Sequence, residues 1–103
     1  MTPEEFEGDL KKTFPYGFRL VQDKGPNDFY AAFKSAGALS GGGFGLWVWV
    51  SGERDFLLRV RTVEKRSDED WLLTTDDDTW NLRRMPSESQ AKAFYDAIFS
   101  GDF

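Results

Sequence analysis

The sequence predicts an α+β fold: an N-terminal helix, a mainly antiparallel sheet of five or six strands built from hairpins, and a C-terminal helix packed on one sheet face. Three patterns support this prediction. Apolar residues alternate with other residues from Phe44 to Val60, and helix-capping sequences occur at Thr2 and at Ser87. The length of 103 residues fits one globular domain spanning residues 1–103.

The N-terminal helix is predicted over residues 3–13. Thr2 is a suitable N-cap, a proline follows at the first helical position, and Glu5 has the spacing of a capping box. Pro15 ends the helix, because the residue before a proline is pushed out of the helical region. Residues 18–22 then form an extended segment, and a turn of polar residues, glycine and proline follows it.

The next segment, residues 28–36, fits two structures. In a helix, apolar residues from Phe29 onward would recur at i, i+3, i+4 and i+7. In a strand, Phe29, Ala31 and Phe33 would alternate with their neighbours, and the segment would pair with residues 18–22. The sequence leaves both structures open.

A hairpin is predicted from Phe44 onward. One face of its two strands would carry Phe44, Leu46, Val48, Val50, Phe56, Leu58 and Val60. The opposite face would carry Trp47, Trp49, Leu57, Arg59 and Arg61. Matching the two apolar sides across an antiparallel pair requires a connecting loop with an odd number of residues, three or five.

A second hairpin is predicted from strands at residues 71–75 and 79–85. With the three aspartates between them as the loop, its register would place Leu72, Trp80 and Leu82 on one face. The charged segment before this hairpin is expected to be an exposed loop or a fraying strand end.

The C-terminal helix is expected to follow Ser87. Gln90 has the spacing of a second capping box, and apolar residues recur at helical spacing from Ala91 to Ile98. Gly101 is the expected end of the helix.

The amino-acid composition excludes several kinds of catalytic and metal site. The chain has no histidine and no cysteine, which excludes Ser-His-Asp and Cys-His nucleophiles and thiolate or imidazole metal sites. We therefore expect no enzymatic activity, no cofactor and no metal. The start of the sequence is acidic, unlike a secretory signal, and no apolar run is long enough to span a bilayer. A soluble cytoplasmic protein without membrane association is expected.

The glycine-rich segment at residues 40–45 invites comparison with phosphate-binding loops. A P-loop needs Lys-Ser/Thr after its last glycine and then a helix, whereas Leu46 and Trp47 follow here on a predicted strand. The glycine spacing of a dinucleotide-binding loop is also missing. The segment is therefore interpreted as a flexible or bulged approach to the strand.

Two acidic clusters, residues 68–70 and Asp76-Asp77-Asp78, flank one predicted strand. They should lie about 17 Å apart at ~3.3 Å per residue, too far to share a metal ion unless a loop folds back. The sequence leaves open whether either cluster alone binds a metal ion. The second cluster lacks the glycine and the distal glutamate of a calcium loop. The three aspartates are therefore interpreted as a solvated hairpin tip that presents negative charge.

The candidate binding residues are two groups: Trp47, Trp49, Arg59 and Arg61 on one sheet face, and Asp76, Asp77 and Asp78 at the hairpin tip. The sequence leaves open whether a helix covers the tryptophans. Seventeen percent aromatic residues and a net charge of −5 favour a non-enzymatic protein-binding module that docks on a basic partner, with a small inhibitor or immunity-type protein as one form. The alternative is single-stranded nucleic-acid binding through the tryptophan and arginine face. The sequence does not fix the oligomeric state.

Overall fold

A computed structural model describes residues 1–50 and 54–99, and this part of the chain forms two helices and one sheet of seven strands. In chain order the elements are α1 (Pro3–Thr13), β1 (Phe18–Gln22), β2 (Asp28–Ala38), β3 (Phe44–Val50), β4 (Arg54–Val60), β5 (Thr62–Lys65), β6 (Asp70–Thr74), β7 (Thr79–Arg83) and α2 (Glu88–Phe99). The predicted α+β architecture is confirmed. The sheet has seven strands instead of five or six because part of the charged segment before β6 pairs as the short strand β5.

All strand pairs are antiparallel, in the order β4-β3-β2-β1-β7-β6-β5. The sheet therefore consists of a first meander, β1–β4, and a second meander, β5–β7, joined through β1 and β7. Strands β4 and β5 form opposite edges of the sheet, yet only Arg61 separates them in the chain. The sheet must therefore curl until its two edges approach each other at Arg61, whose N–H donates to the carbonyl of Thr74 at 2.7 Å.

Helix α1 has the predicted bounds and the predicted capping box. The Thr2 hydroxyl accepts from the N–H of Glu5 at 3.1 Å, and the Glu5 carboxylate accepts from the N–H of Thr2 at 3.2 Å. The apolar stripe of the helix packs into the curled sheet, where Phe6 stacks on Phe44 and Phe14 meets the edge of Trp71. We call the sheet face toward α1 the inner face.

The core lies between α1 and the inner face. Its buried members are Phe6, Leu10, Phe14, Phe18, Leu20, Ala31, Phe33, Leu46, Val48, Val50, Leu58, Val60, Trp71, Leu73, Trp80 and Leu82. Aromatic rings therefore supply much of the core volume, as the high aromatic content of the chain requires.

Residues 28–36, which the sequence left open between helix and strand, belong to strand β2. The strand pairs with β1 in the register Phe18↔Ala31. Its inward residues include Phe33, which stacks on Phe18 with ring centroids 5.3 Å apart. As a strand, this segment pairs its backbone N–H and C=O groups with those along the facing edge of β1. The pairing therefore satisfies backbone groups of both strands.

The first predicted hairpin is confirmed, and its register has the predicted parity. Val48 lies opposite Phe56, so the apolar residues of β3 and β4 share the inner face. The connecting residues 51–53, on which the predicted loop of odd length falls, lie outside the described residues.

The predicted register of the second hairpin is wrong. Leu73 lies opposite Trp80, so the loop contains four residues, 75–78, and Leu72 is on the face opposite to Trp80. The N–H of Thr75 donates to the carbonyl of Asp78 at 2.8 Å, which closes the longer turn. One extra loop residue moves every side chain of one strand to the other face of the sheet.

Helix α2 packs on the face of the sheet opposite to α1, which we call the outer face. The hydroxyl of Ser87 caps the helix by accepting from the N–H of Gln90 at 3.1 Å. Phe94 meets the edge of Tyr30 on β2. Gly101, the predicted end of the helix, lies outside the described residues. Within residues 1–50 and 54–99, no helix has both the length and the apolar character needed to cross a membrane.

Candidate functional site

A row of three side chains crosses the outer face of the first meander. Trp47 on β3 lies opposite Lys34 on β2 and opposite Leu57 on β4. Trp47 is 38% exposed and Leu57 is 42% exposed, although both are large and apolar. We call Trp47 and Leu57 the apolar patch. Neighbours across strands have Cβ atoms about 5 Å apart, so the two side chains form one continuous surface.

The second tryptophan of β3 has a different environment. The ring of Phe99, at the end of α2, meets the edge of Trp49 with centroids 5.3 Å apart, and Trp49 is half-buried. The ammonium group of Lys34 lies 5.0 Å from the Phe99 ring centroid. Helix α2 thus covers Trp49 and leaves Trp47 in contact with solvent. The sequence left open whether a helix covers the tryptophans, and the structure shows that it covers one of the two.

Arg59 and Arg61 point toward the glycine-rich loop at residues 40–43, which we call the glycine loop. Nη1 of Arg59 donates to the carbonyls of Ser40 at 2.8 Å and Gly42 at 2.7 Å. Nη1 of Arg61 donates to the carbonyl of Gly41 at 3.1 Å. The loop therefore offers carbonyl oxygens to cations, whereas a phosphate site needs N–H groups.

The backbone of the glycine loop explains why glycines are present. Gly41, Gly42 and Gly43 have φ values of 86°, 99° and 79°, in the left-handed region that other residues rarely adopt. This conformation turns successive carbonyls toward β4. The sequence interpretation of the segment as an approach to the strand is incomplete, because the loop also binds two arginines.

Asp76 lies beside the same two arginines. Nε of Arg61 is 2.5 Å from Oδ1 of Asp76, and Nε of Arg59 is 3.8 Å from Oδ2. The hydrogen bond from Arg61 lowers the pKa of Asp76 and, in return, raises the pKa of Arg61. The negative charge of Asp76 is therefore compensated within the chain, and both guanidinium groups are also held by carbonyls of the glycine loop.

The other two aspartates of the tip differ from each other. Asp78 accepts from the side-chain amide of Gln22 and from the N–H of Thr79. Asp77 is exposed. The three neighbouring aspartates thus have three environments: Asp76 is paired with Arg61, Asp77 is exposed, and Asp78 is half-buried and hydrogen-bonded.

The structure divides the predicted site residues into two groups. Arg59 and Arg61 contact Asp76, whereas Trp49 packs against Phe99 of α2 and Trp47 is exposed beside Leu57. Leu57, which the sequence placed on the same face as the tryptophans but not among the candidate binding residues, completes the apolar patch. The alternation along β4 and the register of the hairpin would have identified it.

Two clefts lie away from this face. One, of about 280 Å³, is formed by the end of α1 and the start of α2, with Lys12 and Arg84 at its rim. The other, of about 550 Å³, adjoins it and includes Lys65 and Trp71. Among residues 1–50 and 54–99, no group of three acidic side chains could hold a metal ion.

Comparison of the chain with protein-family models, with curated proteins and with solved structures found no match. The fold and the site define a small α+β domain with an exposed apolar patch on one face of a curled antiparallel sheet.

Proposed function

We propose that this chain is a non-enzymatic protein-binding module that docks on a partner with a basic surface. The observation that carries the proposal is the exposure of Trp47 and Leu57 side by side on a sheet. Tryptophan is enriched among the residues that dominate binding energy at interfaces, and a rigid strand limits the entropy lost on docking.

Electrostatics supports a basic partner. The net charge of −5 attracts a positively charged surface over distances of about a Debye length, which accelerates encounter. Because Asp76 is compensated by Arg61, the acidic contribution of the hairpin tip comes from the exposed Asp77 and the half-buried Asp78. Asp55, opposite Trp49 on the same face as the apolar patch, adds a second exposed carboxylate. A small inhibitor or immunity-type protein would use such a surface to cover a basic site on its target.

Composition supports the absence of catalysis. Without histidine and cysteine the chain lacks the commonest general base and the most nucleophilic side chain. An exposed patch with neighbouring carboxylates can bind, whereas acid–base chemistry needs groups that converge on a cleft.

The proposal is tested by affinity capture with identification of the bound proteins. Immobilised wild type, W47A and L72A are compared, because Leu72 is a half-buried residue of the outer face on the second meander. We expect wild type and L72A to retain the same partner and W47A to lose it. The association rate of the partner with wild type should fall with added salt and should fall further for D77N. Equal retention of the partner by W47A and wild type would contradict the proposal.

A second candidate function is single-stranded nucleic-acid binding, favoured by the position of Lys34 directly opposite the exposed Trp47. One base stacked on the indole would contribute about 1–3 kcal/mol. The contacts of Arg59 and Arg61 with the glycine loop and Asp76 reduce the cationic surface available to phosphates, so we rank this function second. Titration with oligothymidylate at low salt tests it: quenching of tryptophan emission in wild type but not in W47F would support nucleic-acid binding.

A further inference from the structure

The two clefts at the end of α1 and the start of α2 share part of their walls. The first cleft, of about 280 Å³, and the second cleft, of about 550 Å³, have Lys12, Thr13 and Arg84 in common. The clefts therefore meet at these three residues, which we call the junction. Neither Trp47 nor Leu57 lines either cleft, so the junction is separate from the apolar patch.

The ammonium group of Lys12 forms no ion pair within the described residues. A carboxylate four positions earlier in the helix would be its usual partner, but Gly8 occupies that position. Asp9, three positions earlier, pairs with Lys65 instead. The positive charge of Lys12 is therefore available at the junction, where the side chain is exposed.

The guanidinium group of Arg84 also has no carboxylate partner within the described residues. Its side chain forms one long hydrogen bond there, from Nη2 to the carbonyl of Asp68 at 3.5 Å. The backbone of Arg84 is held independently, because its N–H donates to the carbonyl of Glu69 at 3.1 Å. A guanidinium has five N–H donors, so most of those of Arg84 remain available to a ligand.

The other charged residues of the two clefts leave the junction positive. Across both clefts there are three cations and three carboxylates. Asp9 and Lys65 neutralise each other in the second cleft. Glu88 lines only the first cleft and Asp68 only the second, and neither carboxylate pairs with a junction cation in the described part of the chain. The junction thus attracts anions although the chain carries a net charge of −5.

The first cleft adds an apolar floor beside the junction. Phe14, Met85 and Ala91 line this cleft and are otherwise buried, and the half-buried ring of Tyr16 forms another part of its wall. Small-molecule sites have volumes from about 300 Å³ upward and combine apolar walls with a few polar groups. The first cleft is at the lower end of this range, which suits a molecule with one ring or a short chain.

We propose that the junction and the first cleft bind a small organic anion. Its phosphate or carboxylate head lies between Lys12 and Arg84, and its aromatic or aliphatic body lies on the apolar floor. A guanidinium binds such heads through two parallel hydrogen bonds, and an ammonium group adds a flexible point charge. The proposal goes beyond the docking function and does not depend on it. W47A should lose the docking partner and bind the anion like wild type.

Titration with phenyl phosphate, followed by the NMR chemical shifts of the backbone amides, tests the site. Saturable shifts should concentrate at Thr13, Gly17 and Arg84, with a dissociation constant on the order of 1 mM for so small a ligand. Inorganic phosphate lacks the body and benzyl alcohol lacks the charge, so each should bind more weakly by about tenfold or more. Phenylacetate compares the heads: tighter binding than phenyl phosphate would assign a carboxylic acid, and weaker binding would assign a phosphate ester.

Charge variants locate the head of the ligand. R84Q and K12Q each remove one junction cation and should weaken the binding of phenyl phosphate by about tenfold. E88Q removes the carboxylate of the first cleft and should strengthen it. K24Q makes the same charge change as K12Q at an exposed lysine that lines neither cleft, so it should bind like wild type. The amide spectrum of each variant also shows whether the fold is retained.

Three results would overturn the proposal. They are the absence of saturable shifts with both phenyl phosphate and phenylacetate, shifts centred away from the two clefts, and equal weakening of binding by R84Q and K24Q.

Discussion

Arg61 holds Asp76 at two points: Nε donates to Oδ1 at 2.5 Å and Nη2 donates to Oδ2 at 3.2 Å. The third nitrogen of the same guanidinium, Nη1, donates to the carbonyl of Gly41. Arg61 thus joins the glycine loop of the first meander to the hairpin tip of the second, where the edges of the curled sheet meet. A planar guanidinium suits this role because its donors point in fixed directions.

This ion pair predicts a pH dependence of stability. Arg61 holds the pKa of Asp76 below its ordinary value of 3.8, so the stabilisation is fully present above pH 3.8 and is lost as the pH falls through the lower pKa of the folded state. D76N should remove this part of the acid sensitivity. The measurement is urea unfolding at pH values from neutral to below 3.8. D77N, which removes an exposed charge from the neighbouring position, should keep the acid sensitivity of the wild type.

Alanine substitutions at two positions of the glycine loop are expected to lower the free energy of unfolding by different amounts. At Gly41 a Cβ would find only Arg59 Nη1, at 3.7 Å, so G41A should lose roughly 1–2 kcal/mol from the left-handed backbone alone. At Gly43 a Cβ would lie 2.7 Å from the carbonyl oxygen of Val60, so G43A should be clearly more destabilised. Chemical denaturation of the two variants checks this order, and equal losses would contradict the described loop geometry.

The register of the second hairpin is tested with two neighbouring leucines. Leu73 is fully buried on the inner face, so L73A should destabilise the domain by about 2–5 kcal/mol. Leu72 is half-buried on the outer face, so L72A should cost less than half as much. Unfolding free energies from denaturant curves decide between the registers, since a three-residue loop would reverse the order of the two variants.

Tryptophan emission should report the exposure of Trp47 directly. Trp71 and Trp80 are 2% and 7% exposed and Trp49 is half-buried, whereas Trp47 is 38% exposed. Acrylamide should therefore quench wild type mainly through Trp47, and W47F should lose the most quenchable part of the emission. W80F serves as the control and should retain that part. If quenching is unchanged in W47F, the indole is not accessible as described.

Patterns within one element were sufficient to predict several parts of the structure. The capping box at Thr2 and Glu5 gave the start of α1, because each bond of the box lies within one helical turn, and Pro15 gave its end. The alternation in β3 and β4 gave the parity of their register, since a single buried face permits only one parity, and the observed pair Val48↔Phe56 has that parity. Exposure of Trp47 could not be predicted, because it depends on where α2 ends above the sheet.

The remaining features depend on contacts between distant segments or on turn geometry. The loop after Thr74 has four residues because the carbonyl and carboxylate of Asp78 bond to neighbouring backbone groups, which composition alone does not indicate. The segment of β5 is so charged that only its pairing with β6 makes it a strand. The contacts of Arg59 and Arg61 with loop carbonyls require three left-handed glycines, a conformation that the sequence permits but does not specify.

The single residue between β4 and β5 also determines how the domain can be divided. A cut in the peptide chain beside Arg61 would leave one fragment with α1 and four strands and another with three strands and α2. Each fragment would retain the hairpins formed by its own strands. The two fragments could reassemble through the pairing of β1 with β7, in which Arg19 lies opposite Arg83. The same long-range pairing should be slow to form in the intact chain, because it closes the largest loop of the sheet.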